Sequence, residues 1–169
     1  GLRGLVDHYG WQRVGIVNVD DAYGTALARA IEDELKAELP GSFVVRASFP
    51  YEDETPVAAA AYESALKALS DAQVSVVIAI VFDKQLAPLV DAADALGMFD
   101  GRHQAAWVTT DSITEEGVHA LPPATRAHVA GMLQFSSSPN ATSRARFEAA
   151  FLGSGAADCI NDAFDATAA

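Results

Sequence analysis

Short, almost wholly apolar runs alternate along this chain with Ala-rich stretches whose apolar residues recur every three or four positions. The first run, Val14-Gly15-Ile16-Val17-Asn18-Val19, reads as a strand that ends at Asp20-Asp21. From about Gly24 to Leu39, the residues Leu27, Ala30, Ile31 and Leu35 fall on one helical face, and Pro40-Gly41 ends that helix. Residues 43–49 form a second strand, followed by an acidic loop from Tyr51 to Thr55 and a helix to about Asp71. Residues 74–82 are apolar at nearly every position instead of alternating, as expected for a strand buried on both faces of a parallel sheet. That strand should be central. The helix after it carries Leu86, Leu89, Val90, Ala93 and Leu96 at helical spacing and stops at Gly97, with Pro88 expected in its first turn. Residues 105–110 are a fourth strand and 128–135 a fifth.

Strands alternating with helices of this length predict an α/β fold, a parallel β-sheet with helices on both faces, in one Rossmann-like lobe. Right-handed crossovers place the C-terminal ends of all strands on one edge, where open sheets of this kind bind ligands. The informative positions are therefore Asp20-Asp21, Phe49-Pro50, Phe82-Asp83 and Thr110-Asp111. After Phe135 the pattern changes. A turn-rich linker, Ser136 to Asn140, leads into two Ala-rich helical stretches, one with Phe147, Ala150 and Phe151 on a face and one with Ile160, Ala163, Phe164 and Thr167. No strand accompanies them, so their packing partner is expected outside this segment. The chain opens on Gly1 inside an apparent helix leading to Trp11, which reads as a piece of a longer protein.

Composition narrows the function. With 11 Lys and Arg against 23 Asp and Glu, the net charge is -12, which phosphate backbones repel, and no basic cluster offers an exception. Nucleic acid is excluded as a partner. Half of the residues are hydrophobic and mean hydropathy is +0.14, a globular balance. Cys159 is the only cysteine, so no internal disulfide and no CxxC pair can form; a partner in another segment and a buried free thiol both remain open. Asn140-Ala141-Thr142 is a glycosylation triplet that fits a surface loop.

Three carboxylates and one ring at the strand ends, Asp21, Asp83, Asp111 and Tyr23, are candidate ligand groups. Asp20-Asp21-Ala22-Tyr23-Gly24 follows the first strand; Asp21 can cap the next helix and Gly24 can ease the turn. Capping does not explain Tyr23, a large amphipathic ring at the cleft edge that could stack on a ligand or face a cationic amine. Asp83, at the end of the third strand, also reads first as a cap. Asp111 ranks above it, because Ser112 and Glu115 supply an S-x-x-E capping box and leave Asp111 free for other work. Catalytic patterns are missing. His8, His103, His119 and His128 read as surface histidines with no partner at metal spacing, and there is no nucleophile elbow, phosphate loop or G-x-G-x-x-G. A phospho-acceptor receiver domain would need a Lys at the end of the fifth strand, where this chain has Gln134-Phe135. No metal or other cofactor is called for.

From Tyr9-Gly10-Trp11-Gln12-Arg13-Val14 into Asp20-Asp21-Ala22-Tyr23-Gly24, the sequence resembles the type I periplasmic-binding-protein superfamily. More narrowly, it is similar to the receptor-family ligand-binding region of class C G-protein-coupled receptors, ionotropic glutamate receptors and natriuretic-peptide receptors. Leu66-Lys67-Ala68-Leu69, Ala95-Leu96-Gly97-Met98, Trp107-Val108-Thr109-Thr110-Asp111 and Asn161-Asp162-Ala163-Phe164-Asp165-Ala166 continue the likeness in order. The resemblance implies a second lobe over residues 1–135, with 136–169 crossing the hinge and starting the return to a first lobe absent here. It implies a small, amino-acid-like ligand in the cleft between lobes and no catalysis. Tyr23 would stack on the ligand's amino group, Asp111 would pair with that amine, and Asp83 matches an acidic contact only approximately. A receptor dimer is a further implied partner. The expected parent is a membrane receptor with this domain outside the cell; the alternative is a soluble solute-binding protein of an amino-acid uptake transporter.

Overall fold

The computed structural model describes residues 2–39, 41–51, 56–99 and 104–135, and for residues 2, 3 and 38 the backbone alone. Among these, α1 (Leu2–His8) leads to β1 (Arg13–Asp20), α2 (Ala22–Glu38), β2 (Phe43–Pro50), α3 (Ala59–Asp71), β3 (Val76–Ile80), α4 (Asp83–Ala95) and β4 (Ala106–Thr110). Two short helices, α5 (Glu115–Ala120) and α6 (Pro123–Val129), then precede β5 (Leu133–Phe135). The strands form one parallel sheet in the order β2-β1-β3-β4-β5. The central register runs through Ile16, Ile78 and Val108.

β3 holds the middle position and all five of its residues are buried, as its unbroken apolar run predicts. Two cores cover its faces. On one, Val6 of α1 and Ala28, Ile31 and Leu35 of α2 pack on Val14, Ile16, Val76, Ile78, Ile80 and Val108. On the other, Tyr62, Leu66 and Leu69 of α3 and Leu86, Leu89 and Val90 of α4 pack on Val17, Val19, Val77, Ala79 and Trp107. The alternation of β-strand side chains sorts each strand between the two cores. Because α2 and α4 lie on opposite faces, the chain reverses direction between β1 and β3. The crevice outside their C-terminal ends is the topological switch point of the sheet.

Three local expectations need correction. His128 and Val129 belong to α6, and the fifth strand is confined to Leu133–Phe135. The Pro122-Pro123 pair starts a helix there, since proline suits the first helical position, and Gly131 at φ 99° turns the chain into the strand. Pro88 lies in the second turn of α4, so one intrahelical bond to the carbonyl four residues back cannot form. The buried face of Leu86, Leu89, Val90 and Ala93 holds the helix across this gap. Finally, His128 is half-buried, stacked on Phe99 at 4.8 Å between centroids, with Nε2 3.4 Å from Asp94 Oδ1. His8 and His119 are exposed. His103, Cys159, the glycosylation triplet and both helical stretches beyond Phe135 lie outside the described residues. No described helix is long and apolar enough to cross a membrane.

Candidate functional site

The β1–α2 turn is built from its own residues. Asp21, the N-cap of α2, has extended backbone and accepts the Gly24 N–H on Oδ1 at 2.6 Å. Its carbonyl accepts from Thr25 N at 3.0 Å, and the Thr25 hydroxyl donates to Asp20 Oδ1 at 3.1 Å. Gly24 is required for space: a Cβ there would stand 2.2 Å from the Val19 carbonyl oxygen. Asp21 is thus occupied as a cap. Tyr23 points outward, 41% exposed, and its ring lies tilted against Phe82 with centroids 5.8 Å apart. This contact crosses the switch-point crevice from α2 to the head of α4.

The β3–α4 turn is built differently. Phe82 is the N-cap of α4, and its N–H donates to the Gln85 side-chain Oε1 at 2.9 Å. Asp83, one residue further on, therefore does not cap its own helix. Its carboxylate reaches α5 instead, accepting the Thr114 N–H on Oδ1 at 2.8 Å and the Thr114 hydroxyl on Oδ2 at 2.6 Å. The ring of Tyr51, at the end of β2, sits 4.8 Å from the Lys84 ammonium, so this turn gathers groups from either side.

Asp111 follows β4 and is exposed. The loop carrying it is fastened on both sides of that residue. The Ser112 hydroxyl donates to the Val81 carbonyl at 2.7 Å and lies 2.6 Å from Thr110 Oγ1. The Gln134 amide donates to the carbonyls of Thr110 at 3.3 Å and Ile113 at 2.6 Å, while Ile113 is buried in the core. Ser112 is not a cap. The N-cap of α5 is Thr114, whose hydroxyl accepts from Gly117 N at 2.9 Å, so the expected Ser112–Glu115 box is displaced by two residues. Beside this loop a cavity of about 380 Å³, lined by Leu86, Thr109, Ile113, Met132 and Gln134 among others, opens below α5.

The three strand ends stand in the order β1, β3, β4. Tyr23 and Asp111 are therefore not on adjoining loops: the Phe82-Asp83 turn separates them by two strand spacings, about 10 Å. The sequence marks Phe82 only as a strand end and Gln134 only where a receiver domain would need a lysine, and Thr114 goes unnoticed. A T-x-x-G pattern at Thr114-Gly117 was a visible capping signal; the reach of Gln134 across β4 had none.

A profile described as the receptor family ligand binding region matches residues 1–159. No curated protein matches the chain in sequence. Among solved structures, an extracellular ligand-binding receptor from Verminephrobacter eiseniae aligns at TM-score 0.53 and 14% identity, over 77% of this chain and 32% of that one. A putative branched-chain amino acid ABC transporter protein from Rhodospirillum rubrum aligns at 0.56 and 13%, over 73% and 32%. A branched chain amino acid ABC transporter periplasmic ligand-binding protein from Burkholderia xenovorans aligns at 0.50 and 18%, over 64% and 26%. The chain spans about a third or less of the length of these neighbours, and the likeness is one of fold, the type I periplasmic-binding-protein-like fold. With the profile covering nearly all of its residues, the chain belongs to the receptor family ligand binding region family.

Proposed function

We propose that residues 1–135 are the second lobe of a bilobed ligand-binding domain, and that residues 136–169 cross the hinge toward a first lobe. The ligand is a small amino-acid-like molecule held in the cleft between lobes, and the domain binds without catalysing a reaction. The observation that carries this reading is Tyr23: a 41%-exposed ring seated on Phe82 at the switch point of a sheet in this family. An exposed aromatic face there can take a ligand's amine, and Asp111 at the next strand end but one supplies a carboxylate for the same group. Closure of two lobes follows when the ligand binds the closed state better and so shifts its population.

The parent is, on this reading, a membrane receptor with the domain on its extracellular face, able to signal as a dimer. A second reading, a soluble periplasmic solute-binding protein of an uptake transporter, is favoured by the structural neighbours described as ABC-transporter proteins. The full-length reading frame separates the two: a membrane-spanning segment downstream makes it a receptor.

Calorimetry on the complete two-lobed protein, titrated with L-leucine, L-glutamate and glycine, tests the site. Tyr23→Ala should weaken binding by ~0.5 to 2 kcal/mol, the range for exposed to desolvated cation–π contacts. Asp111→Asn should cost more, about 1.5–3 kcal/mol, because it removes a charge-assisted hydrogen bond. Unchanged affinity in both variants, with the fold intact, moves the ligand elsewhere.

A further inference from the structure

At the head of α4, Tyr23 from the β1–α2 turn meets Phe82, and Asp83 joins the β3–α4 turn to the loop after β4. Both of its carboxylate oxygens are engaged by Thr114, one by the backbone N–H and one by the hydroxyl. The same hydroxyl accepts from Gly117 N, so Asp83 also fixes which way the cap of α5 points. Gly117 packs so close that a Cβ on it would come within 2.2 Å of the carboxyl carbon. A carboxylate covered in this way has little left to offer a ligand. What it holds is Thr114, which closes the loop Thr110–Thr114, and Asp111 is the second residue of that loop. Ser112, next to Asp111, is tied through its hydroxyl to the carbonyl of Val81, just beyond β3. Position 111 is thereby held directly before two anchors, at 112 and 114, both set on the β3–α4 segment.

We propose that Asp83 is a positioning residue for Asp111: by holding Thr114 it sets the loop that presents the Asp111 carboxylate, and it affects ligand affinity through that loop without touching the ligand. The proposal rests on the reading that Asp111 faces the ligand. It differs from the direct contact that a strand-end aspartate suggests, because a positioning residue loses its effect once the group it positions has been removed. The contact can also be cut from the other side. Thr114→Val removes the hydroxyl at nearly constant shape, and Thr114→Ser keeps it.

The test is a cycle in the complete two-lobed protein, with L-leucine, L-glutamate and glycine as calorimetric probes and amide exchange measured without ligand. Asp83→Ala and Thr114→Val should each weaken binding of the responding probe roughly tenfold, the scale of one hydrogen bond to a charged group. Thr114→Ser should stay near the parent. In an Asp111→Asn background, neither Asp83→Ala nor Thr114→Val should weaken binding further. Exchange in residues 110–117 should speed up in both broken variants while residues 74–82 keep their protection. Loss from Asp83→Ala that multiplies the loss from Asp111→Asn would mean direct contact and overturn the proposal. So would unchanged exchange in 110–117. Asp111→Asn without any effect on affinity would instead sink the site reading, and the positioning role with it. If Asp83→Ala fails to fold, the Thr114→Val and Thr114→Ser pair decides the matter alone.

Discussion

The β1–α2 and β3–α4 turns begin alike, each with an aspartate between a buried strand and a helix, yet the two carboxylates do opposite things. Asp21 is the N-cap and bonds the third residue of its own helix. Asp83 stands one position later, inside the first turn of α4, and bonds a different helix 31 residues away. What differs is the group that takes the N–H three residues beyond each cap. The Gly24 N–H is taken by the Asp21 carboxylate. The Gln85 N–H is taken by the Phe82 carbonyl, and the Gln85 side chain accepts the Phe82 N–H, so no aspartate stands at that cap. A shift of one residue in the cap converts a local device into a long-range latch. One turn closes on itself, and the other carries the connection between α4 and α5.

The sharpest way to break this comparison is to fill the two glycines that make room for it. Gly24→Ala places a Cβ 2.2 Å from a backbone oxygen of β1, which cannot move without the sheet. A loss of about 3 kcal/mol, the upper range for overpacking, is expected in urea unfolding. Gly117→Ala places its Cβ equally close to Asp83, but that is a side chain. It should cost about as much alone, and most of the loss should vanish when Asp83→Ala is added. There the helical preference of Ala over Gly, about 1 kcal/mol, can show through. No such relief should come to Gly24→Ala from Asp21→Ala. Equal behaviour of the two pairs would erase the distinction between a local turn and a latch.

Two smaller changes sharpen it. Thr114→Val should cost about 1.5–3 kcal/mol, since a charged acceptor loses its hydroxyl partner and the α5 cap goes with it. Asp21→Ala should cost about 1 kcal/mol, the usual worth of an N-cap, with the loss confined to the first turn of α2. Amide exchange at Gly24 and at Thr114 reports each site separately. A Thr114→Val variant as stable as the parent would mean the Asp83 contact contributes no more than water does.

These magnitudes also mark what the sequence made legible. The strands β1 to β4, the central place of β3 and the strand-end location of the candidate groups follow from period and burial, because an unbroken apolar run has few ways to hide itself. Asp21 as a cap and Gly97 as a helix stop, at φ 70°, follow from local chemistry. What was not legible depends on contacts distant in sequence. Asp83 looks like a cap until Phe82 is seen to hold that position, and Ser112 looks like a cap until Val81 claims its hydroxyl. The cap of α5 is Thr114, so capping by Ser112 gives no ground for ranking Asp111 above Asp83. Residues 128–129 read as strand because so short a stretch, His128-Val129, carries no sign that Pro122-Pro123 has already started a helix.

The smallest expected effect is the most specific test of the comparison. Thr25 in the β1–α2 turn and Thr114 in the α4–α5 latch both donate a hydroxyl proton to an aspartate, at 3.1 Å and 2.6 Å. Thr→Val removes that proton at either site while keeping the β-branch, so side-chain entropy and helix preference change little. The Thr25 bond to Asp20 lies on the exposed side, where water can replace the lost donor at once, and the backbone bond from Thr25 N to Asp21 is untouched. Thr25→Val should therefore cost less than ~0.5 kcal/mol, with an unchanged slope in urea. At Thr114 the same substitution also strips the acceptor for Gly117 N, so two bonds fail together. A loss above ~1 kcal/mol at Thr25 would mean that Asp20 and Thr25 form a latch of their own. The first turn would then owe its shape to a network, and the contrast drawn from the position of one aspartate would not survive.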